Sequence, residues 1–304
     1  MTRPTDTANG SSGWRADGLL RTAPTSIPSD DNESEPTMHP TDPIPLADET
    51  WLIPNLLPAG PEAFVPVNSL LIRGREPIIV DTGAPAHRAA WFETVFSLVD
   101  PDDVRWVFVS HEELDHFGNA RELLDRCRNA LLVSCFFLGE RVAAEAPLPH
   151  HRLRWVEPGD ALEVGDRSLR VVRPPLYDAP TTRGLHDPTT GVLWAVDSFA
   201  APTPGAVVHA DDLPADLYDG GFREFNSMLA PWHTMVDPDA FARHIDTTRS
   251  LAPTTVVSAH GPILTEAAID DAFERTLALA GQPAAVPPGQ GLLDELLAMA
   301  TAAN

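Results

Sequence analysis

Apolar positions along this chain recur at two spacings, and the change from one to the other predicts the elements. Residues 65–72 and 77–80 are compact, β-branched-rich apolar runs separated by a turn containing Gly74, and the second runs into Asp81-Thr82-Gly83; they predict two strands. Over 86–99 the spacing becomes helical, with Trp91, Phe92, Val95, Phe96 and Val99 on one face. An apolar strand over 104–110, a helix over 117–128, a strand over 130–135 and a helix over 137–146 follow. Short strands are expected at 153–156, 161–164 and 168–172, separated by Pro158-Gly159-Asp160 and Gly165-Asp166 turns. The run 191–196 is a buried strand ending in Asp197. A helix over 238–250 leads to a strand over 254–258 that ends in Ala259-His260-Gly261, then a helix over 265–280, a linker over 283–291 and an amphipathic helix over 292–303. Strands alternating with helices in both halves predict an α/β fold with sheets covered by helices.

The first 45 residues interrupt this pattern. They hold seven prolines and many Ser, Thr, Asp and Gly, too little apolar surface for a core, and are expected to be a disordered tail, with order beginning near Trp51. One domain over 46–282 and a linker with a short helix over 283–304 complete the predicted organisation.

Composition narrows the partners. At 304 residues and 43% apolar content the chain can bury a full core. A net charge of −23 argues against nucleic acid and anionic membrane surfaces, which need basic patches. The two cysteines, Cys127 and Cys135, are expected as buried free thiols. No apolar run reaches the roughly 20 residues of a membrane span, and no secretory segment opens the chain, so a cytoplasmic protein is expected.

The candidate chemistry sits where strand 104–110 ends, in His111-Glu112-Glu113-Leu114-Asp115-His116. Charges at the end of a buried strand are costly to desolvate unless something pairs with them. His111, Glu113, Asp115 and His116 offer imidazoles and carboxylates that suit iron, manganese or zinc. The plainer reading is a solvated, acidic helix start, since carboxylates are favoured there. Against it, three apolar strands end in a potential ligand: His111, Asp197 and His260. Ligands at the ends of rigid strands are what a preorganised site needs.

In order, an Asn68-Ser69 strand, Asp81-Thr82-Gly83, a His-rich motif after a strand, a late Asp197 and Ser258-Ala259-His260-Gly261 resemble the metallo-β-lactamase superfamily over about residues 50–280. The hydrolases of that superfamily carry His-x-His-x-Asp-His, whereas Glu113 stands third here, which resembles the flavodiiron branch. The resemblance implies a four-layer αββα sandwich and a non-haem diiron site that reduces dioxygen or nitric oxide. It implies that His111 and Glu113 bind one iron, that Asp115, His116 and His260 bind the other, and that Asp197 bridges them. The family also places a histidine, in Leu-His-Trp-Pro, 19 residues before the bridging aspartate; here that position is Asp178, within Tyr177-Asp178-Ala179-Pro180. An aspartate there can ligate as an anion and lower the reduction potential, or merely begin an Asx turn before Pro180.

Other residues carry weaker signals. Tyr177 can supply a proton to the reacting species or pack with Trp232 at the pocket wall. His186 is expected in a surface turn over 183–188, and His233 at the surface or behind the ligands. His87, His150, His151, His209 and His244 are expected to face solvent. Two iron ions are the expected cofactors, with zinc or manganese as alternatives. No Gly-rich phosphate loop and no cysteine cluster is present, and too few residues follow Ala280 for a flavin domain, so no flavin is expected on this chain. Electrons are then expected from a separate protein or reduced flavin, and a homodimer is compatible with this reading. The remaining alternatives are a non-enzymatic oxygen or redox sensor using the same site, and a dizinc hydrolase, against which Glu113 and Asp178 argue.

Overall fold

The computed structural model describes residues 42–60, 63–145 and 148–302; residues 1–41 of the expected tail lie outside them. The first strand, β1 (Ile44–Ala47), starts inside the segment read as tail and ahead of Trp51, because it pairs antiparallel with β2 (Thr50–Ile53). The hairpin β3 (Leu56–Gly60) and β4 (Ala63–Pro66) forms a small separate sheet. The predicted strand over 65–72 is therefore two strands. Pro66 has no N–H to donate, and Val67 N and Asn68 N donate to Asn55 O and Ala259 O, so the chain crosses over before β5 (Ser69–Ile72).

After β6 (Ile78–Val80) and helix α1 (Arg88–Leu98), strand β7 (Trp106–Phe108) leads into the short helix α2 (Leu114–Phe117) and then α3 (Ala120–Arg126). A single helix over 117–128 is not formed. Asn119 donates to Thr82 O and pulls the chain out of register, and a Cβ at Gly118 would lie 2.4 Å from Pro85 Cδ. Strand β8 (Leu131–Ser134), helix α4 (Phe136–Glu145) and β9 (Leu153–Trp155) finish a seven-stranded sheet in the order β1-β2-β5-β6-β7-β8-β9.

The second sheet has six strands in sequence order: β10 (Ala161–Glu163), β11 (Ser168–Val172), β12 (Gly184–Asp187), β13 (Val192–Trp194), β14 (Thr255–Val257) and β15 (Leu264–Thr265). Strand β12 occupies the segment read as a surface turn. His186 is buried there, paired with Arg170 and Leu193, so the surface expectation for it is corrected. Helices α5 (Ala215–Leu229), α6 (Pro238–Arg249) and α7 (Ala267–Leu277) cover the outer face, and α8 (Gln290–Ala302) follows. Helix α5 was not foreseen, because Gly220-Gly221 in its middle lowers helix propensity.

Alternate side chains of each strand go to opposite faces, and both faces are buried, which explains the continuous apolar runs. Ile72, Val80, Phe108, Leu169, Leu185 and Trp194 pack between the sheets. Leu71, Ile79, Val107 and Leu132 meet Trp91 and Phe92 of α1 and Leu123 of α3 on one outer face. Leu193 and Val256 meet Phe222, Phe241 and Phe273 of α5, α6 and α7 on the other. The result is the αββα sandwich. Arg167 ties its halves together, donating to Thr50 Oγ1 and the Asp48 carbonyl in the first and to Asp187 in the second. Cys127 and Cys135 are buried free thiols, as expected, and burial pushes the Cys127 thiol up to about 12.

Candidate metal centre

Strands β6, β7, β8 and β9 run parallel, as do β13 and β14, so their C-terminal ends gather at one rim of the sandwich. There the chain leaves β7 through Ser110 into His111, leaves β13 through Val196 into Asp197, and leaves β14 through Ser258 into His260. The structure brings all seven proposed ligands together at this rim. Among the described residues, three triplets hold one donor atom each within 4.8 Å of one another: His111, Glu113 and Asp178; Asp115, His116 and His260; His111, His116 and Asp197.

Asp197 divides them. Its Oδ2 lies 3.4 Å from His111 Nε2, while its Oδ1 lies 3.1 Å from His116 Nε2 and 3.2 Å from His260 Nε2. On the outer side His111 Nε2 is 3.8 Å from Asp178 Oδ2 and 4.0 Å from Glu113 Oε2. On the inner side Asp115 Oδ2 is 3.6 Å from His116 Nε2 and 3.2 Å from His260 Nε2. Glu113 is 56% exposed and marks the open face, whereas His111 and Asp197 are 0% and 1% exposed. A solvated helix start does not bury its groups this way.

Buried hydrogen bonds aim the imidazoles. Asp81 ends β6 with φ +56°, and its Oδ1 accepts from Ser110 N at 2.7 Å. Its Oδ2 accepts from Ser110 Oγ at 2.8 Å, from His116 Nδ1 at 2.9 Å and from Trp194 Nε1 at 3.2 Å. A His116 ring that donates through Nδ1 presents Nε2 to the centre as a lone pair. His260 Nδ1 likewise donates to the Pro66 carbonyl at 2.8 Å. Asn68 clamps the same loop from below, donating to Ser258 O and Gly261 O. Glycine is needed at 261, where a Cβ would lie 2.9 Å from Phe199 O. On the outer side Thr182 Oγ1 donates to Asp178 Oδ1 at 3.3 Å. Val196, a β-branched residue at φ +56°, is pinned by Ala259 N and Ser258 Oγ on its carbonyl.

The electrostatics ask for positive charge. Burial, Asp178 as hydrogen-bond partner and the neighbouring carboxylates push Glu113 up to about 7. Burial opposes charge on His260, yet the carboxylates of Asp115 and Asp197, each 3.2 Å from its Nε2, raise it to about 10. His116 also rises, despite burial, through the charges of Asp197 and Asp81. His111 falls through burial and the nearby His116. Asp115 and Asp197 fall, because the imidazoles around them outweigh the burial cost. Four carboxylates around three imidazoles thus favour cations. The donors fit metal ions on a second count: His111 Nε2 and both Asp197 oxygens are buried without a hydrogen-bond partner. Donors about 2.1 Å from a metal lie roughly 3.0–3.4 Å apart in tetrahedral or octahedral geometry, the 3.1–3.4 Å spacings found around Asp197, while Glu113 and Asp178 stand wider at 4.0 and 3.8 Å from His111.

The remaining candidates lie outside the cluster. The Tyr177 ring packs at 4.9 Å on Trp232, faces His244 edge-on and lies under Arg173, the contacts of a wall residue. His233 is buried, with Nδ1 donating to Leu279 O, so its surface placement is corrected; it is not among the ligand triplets. His87 is also buried, bonded to Leu56 O, and His244 is half-buried against Pro174 O and Pro175 O, both against expectation. His150, His151 and His209 face solvent. The sequence reading gave Asp81 and Asn68 no task, although Asp81, like Asp197 and His260, closes an apolar strand.

Residues 63–134 match the family model "Metallo-beta-lactamase superfamily". A putative diflavin flavoprotein A 1 of Nostoc sp. is 28% identical over 201 residues, 65% of this chain and 33% of that protein. An anaerobic nitric oxide reductase flavorubredoxin of Pectobacterium atrosepticum is 22% identical over 56% of this chain and 34% of its own length. The chain thus spans about a third of the length of these curated relatives. Among solved structures, the rubredoxin oxygen:oxidoreductase of Desulfovibrio gigas superimposes with a TM-score of 0.68 at 17% identity, over 79% of this chain and 62% of that one. The flavodiiron protein of Giardia intestinalis does so with a TM-score of 0.68 at 16% identity, over 79% and 59%. Among the described residues no helix is long and apolar enough to cross a membrane. The chain is thus similar to the metallo-β-lactamase superfamily over residues 63–134, has a diflavin flavoprotein and a flavorubredoxin among its sequence relatives, and shares its fold with a flavodiiron protein.

Proposed function

We propose that this domain is a non-haem dinuclear oxidoreductase, with iron as its redox metal, that reduces dioxygen or nitric oxide with electrons from a separate protein or reduced flavin. The observation that carries this reading is Asp197, whose two oxygens face two different donor sets. His111, Glu113 and Asp178 would hold one metal, Asp115, His116 and His260 the other, and Asp197 both. When bound, the metals supply reducible Lewis-acid positions for a diatomic substrate. The chain's own residues do the rest. Asp81 and the Pro66 carbonyl accept from Nδ1 of His116 and His260 and so turn each Nε2 inward, where a metal would take the place of a proton. Ser110 Oγ, 3.1 Å from His111 Nδ1, orients the third imidazole. Trp194, fully buried, donates to Asp81 behind His116 and closes that side of the site with its ring. Tyr177 belongs to the wall, and no proton step is assigned to it. Two relatives named as reductases of oxygen and nitric oxide support the substrate class.

Anaerobic purification with metal analysis, followed by dioxygen or nitric oxide and reduced flavin, tests this. Catalytic consumption of either gas by the iron form is the expected result. Binding without turnover would make the site a sensor. Hydrolysis of lactam, thioester or phosphodiester substrates by a zinc form, with an inert iron form, would make the protein a hydrolase.

A further inference from the structure

We propose that the two positions select different metals: iron at the inner one, among Asp115, His116 and His260, and manganese at the outer one, among His111, Glu113 and Asp178. This rests on the redox reading above, which needs iron but not at both positions.

The donor sets are unequal. Counting Asp197 on each side, the inner position has two imidazoles and two carboxylates, and the outer has one imidazole and three carboxylates. Imidazole nitrogen suits iron, whereas carboxylate oxygen and water suit manganese, and each exchange of nitrogen for anionic oxygen narrows the lead of iron over manganese in the divalent series. Asp178 makes that exchange on the outer side only.

The geometry adds to the chemistry. The inner imidazole nitrogens, His116 Nε2 and His260 Nε2, lie 3.4 Å apart, and each ring is fixed from behind by a buried acceptor. Such a site is set to one size. On the outer side Glu113 is 56% exposed, against 22% for Asp115 on the inner side, while Asp178 is held from behind by a 3.3 Å contact from Thr182. An exposed Glu113 on an open face accommodates a hard cation that keeps water in its shell.

The test uses the full chain, stripped with a chelator and reloaded anaerobically with ferrous ion and an about tenfold excess of manganous ion, which offsets the narrowed lead of iron at the outer position but not the full lead at the inner one. Anomalous scattering from crystals at the iron and manganese edges locates each metal, and elemental analysis counts them. The expected result is one of each per chain, with manganese between Glu113 and Asp178. In Asp178→His the outer position gains an imidazole, and the iron-to-manganese ratio should rise at least about fivefold from near unity. If that variant fails to fold, the wild-type anomalous maps decide alone. Iron at both wild-type positions, or manganese shared equally between them, overturns this proposal and leaves the dinuclear redox reading intact. Retention of neither metal overturns both.

Discussion

Around Asp115, His116 and His260 the imidazoles are held from behind: His116 by Asp81, His260 by the Pro66 carbonyl, and the loop under His260 by Asn68. Around His111, Glu113 and Asp178 the support is thinner, a Ser110 hydroxyl on His111 and a Thr182 hydroxyl on Asp178. Both sides converge on one carboxylate, yet one is built into the core and the other rests on its rim. The contrast teaches that affinity and rigidity are set by the layer behind the ligands as much as by the ligands.

Removing the shared group should erase the contrast. Asp197→Ala is expected to bring metal content from two per chain to near zero, read by elemental analysis; wild-type content would remove the bridging assignment. Asp81→Ala strikes the inner side directly, through His116, and the outer side only through Ser110. It leaves Ser110 N, His116 Nδ1 and Trp194 Nε1 buried without their acceptor, and should cost about 3–5 kcal/mol in urea unfolding. Metal should fall to one per chain, and loss from both sides would mean that the outer position depends on the same support. Asn68→Ala deletes two hydrogen bonds under His260, for about 1–2 kcal/mol, and should weaken the inner metal about tenfold in chelator competition. Equal weakening at both positions would blur the distinction. Thr182→Val is the mildest change. Stability should move by less than about 1 kcal/mol, and any loss of affinity should be confined to the outer metal.

Much of the site is legible in the sequence because its signals are local. His111 to His116 lie within six residues of a strand end, and Asp197 and His260 close apolar runs that read clearly as strands. The supporting layer is not local. Asp81 serves Ser110, His116 and Trp194, which lie 29, 35 and 113 residues away, and Asn68 serves carbonyls 190 and 193 residues away. No window of sequence contains those pairings. Similar reasons hid parts of the fold. Strand β12 reads as a turn because Gly184 opens it and Pro188 follows it, and its burial comes from its place between β11 and β13, with Leu185 packed between the sheets. His87 and His233 are polar residues whose partners are distant carbonyls, so burial was invisible until the chain was folded.

The backbone at Val196 bears on any attempt to move this centre elsewhere. A β-branched residue at positive φ costs on the order of 1–3 kcal/mol, and here it immediately precedes the carboxylate that both positions share. Asp197 is aimed by that left-handed twist, held by two bonds on the Val196 carbonyl, rather than by hydrogen bonds to its own oxygens. A designer who transplants the seven side chains onto an ordinary strand end would copy the alphabet without the grammar. The kink must travel with them.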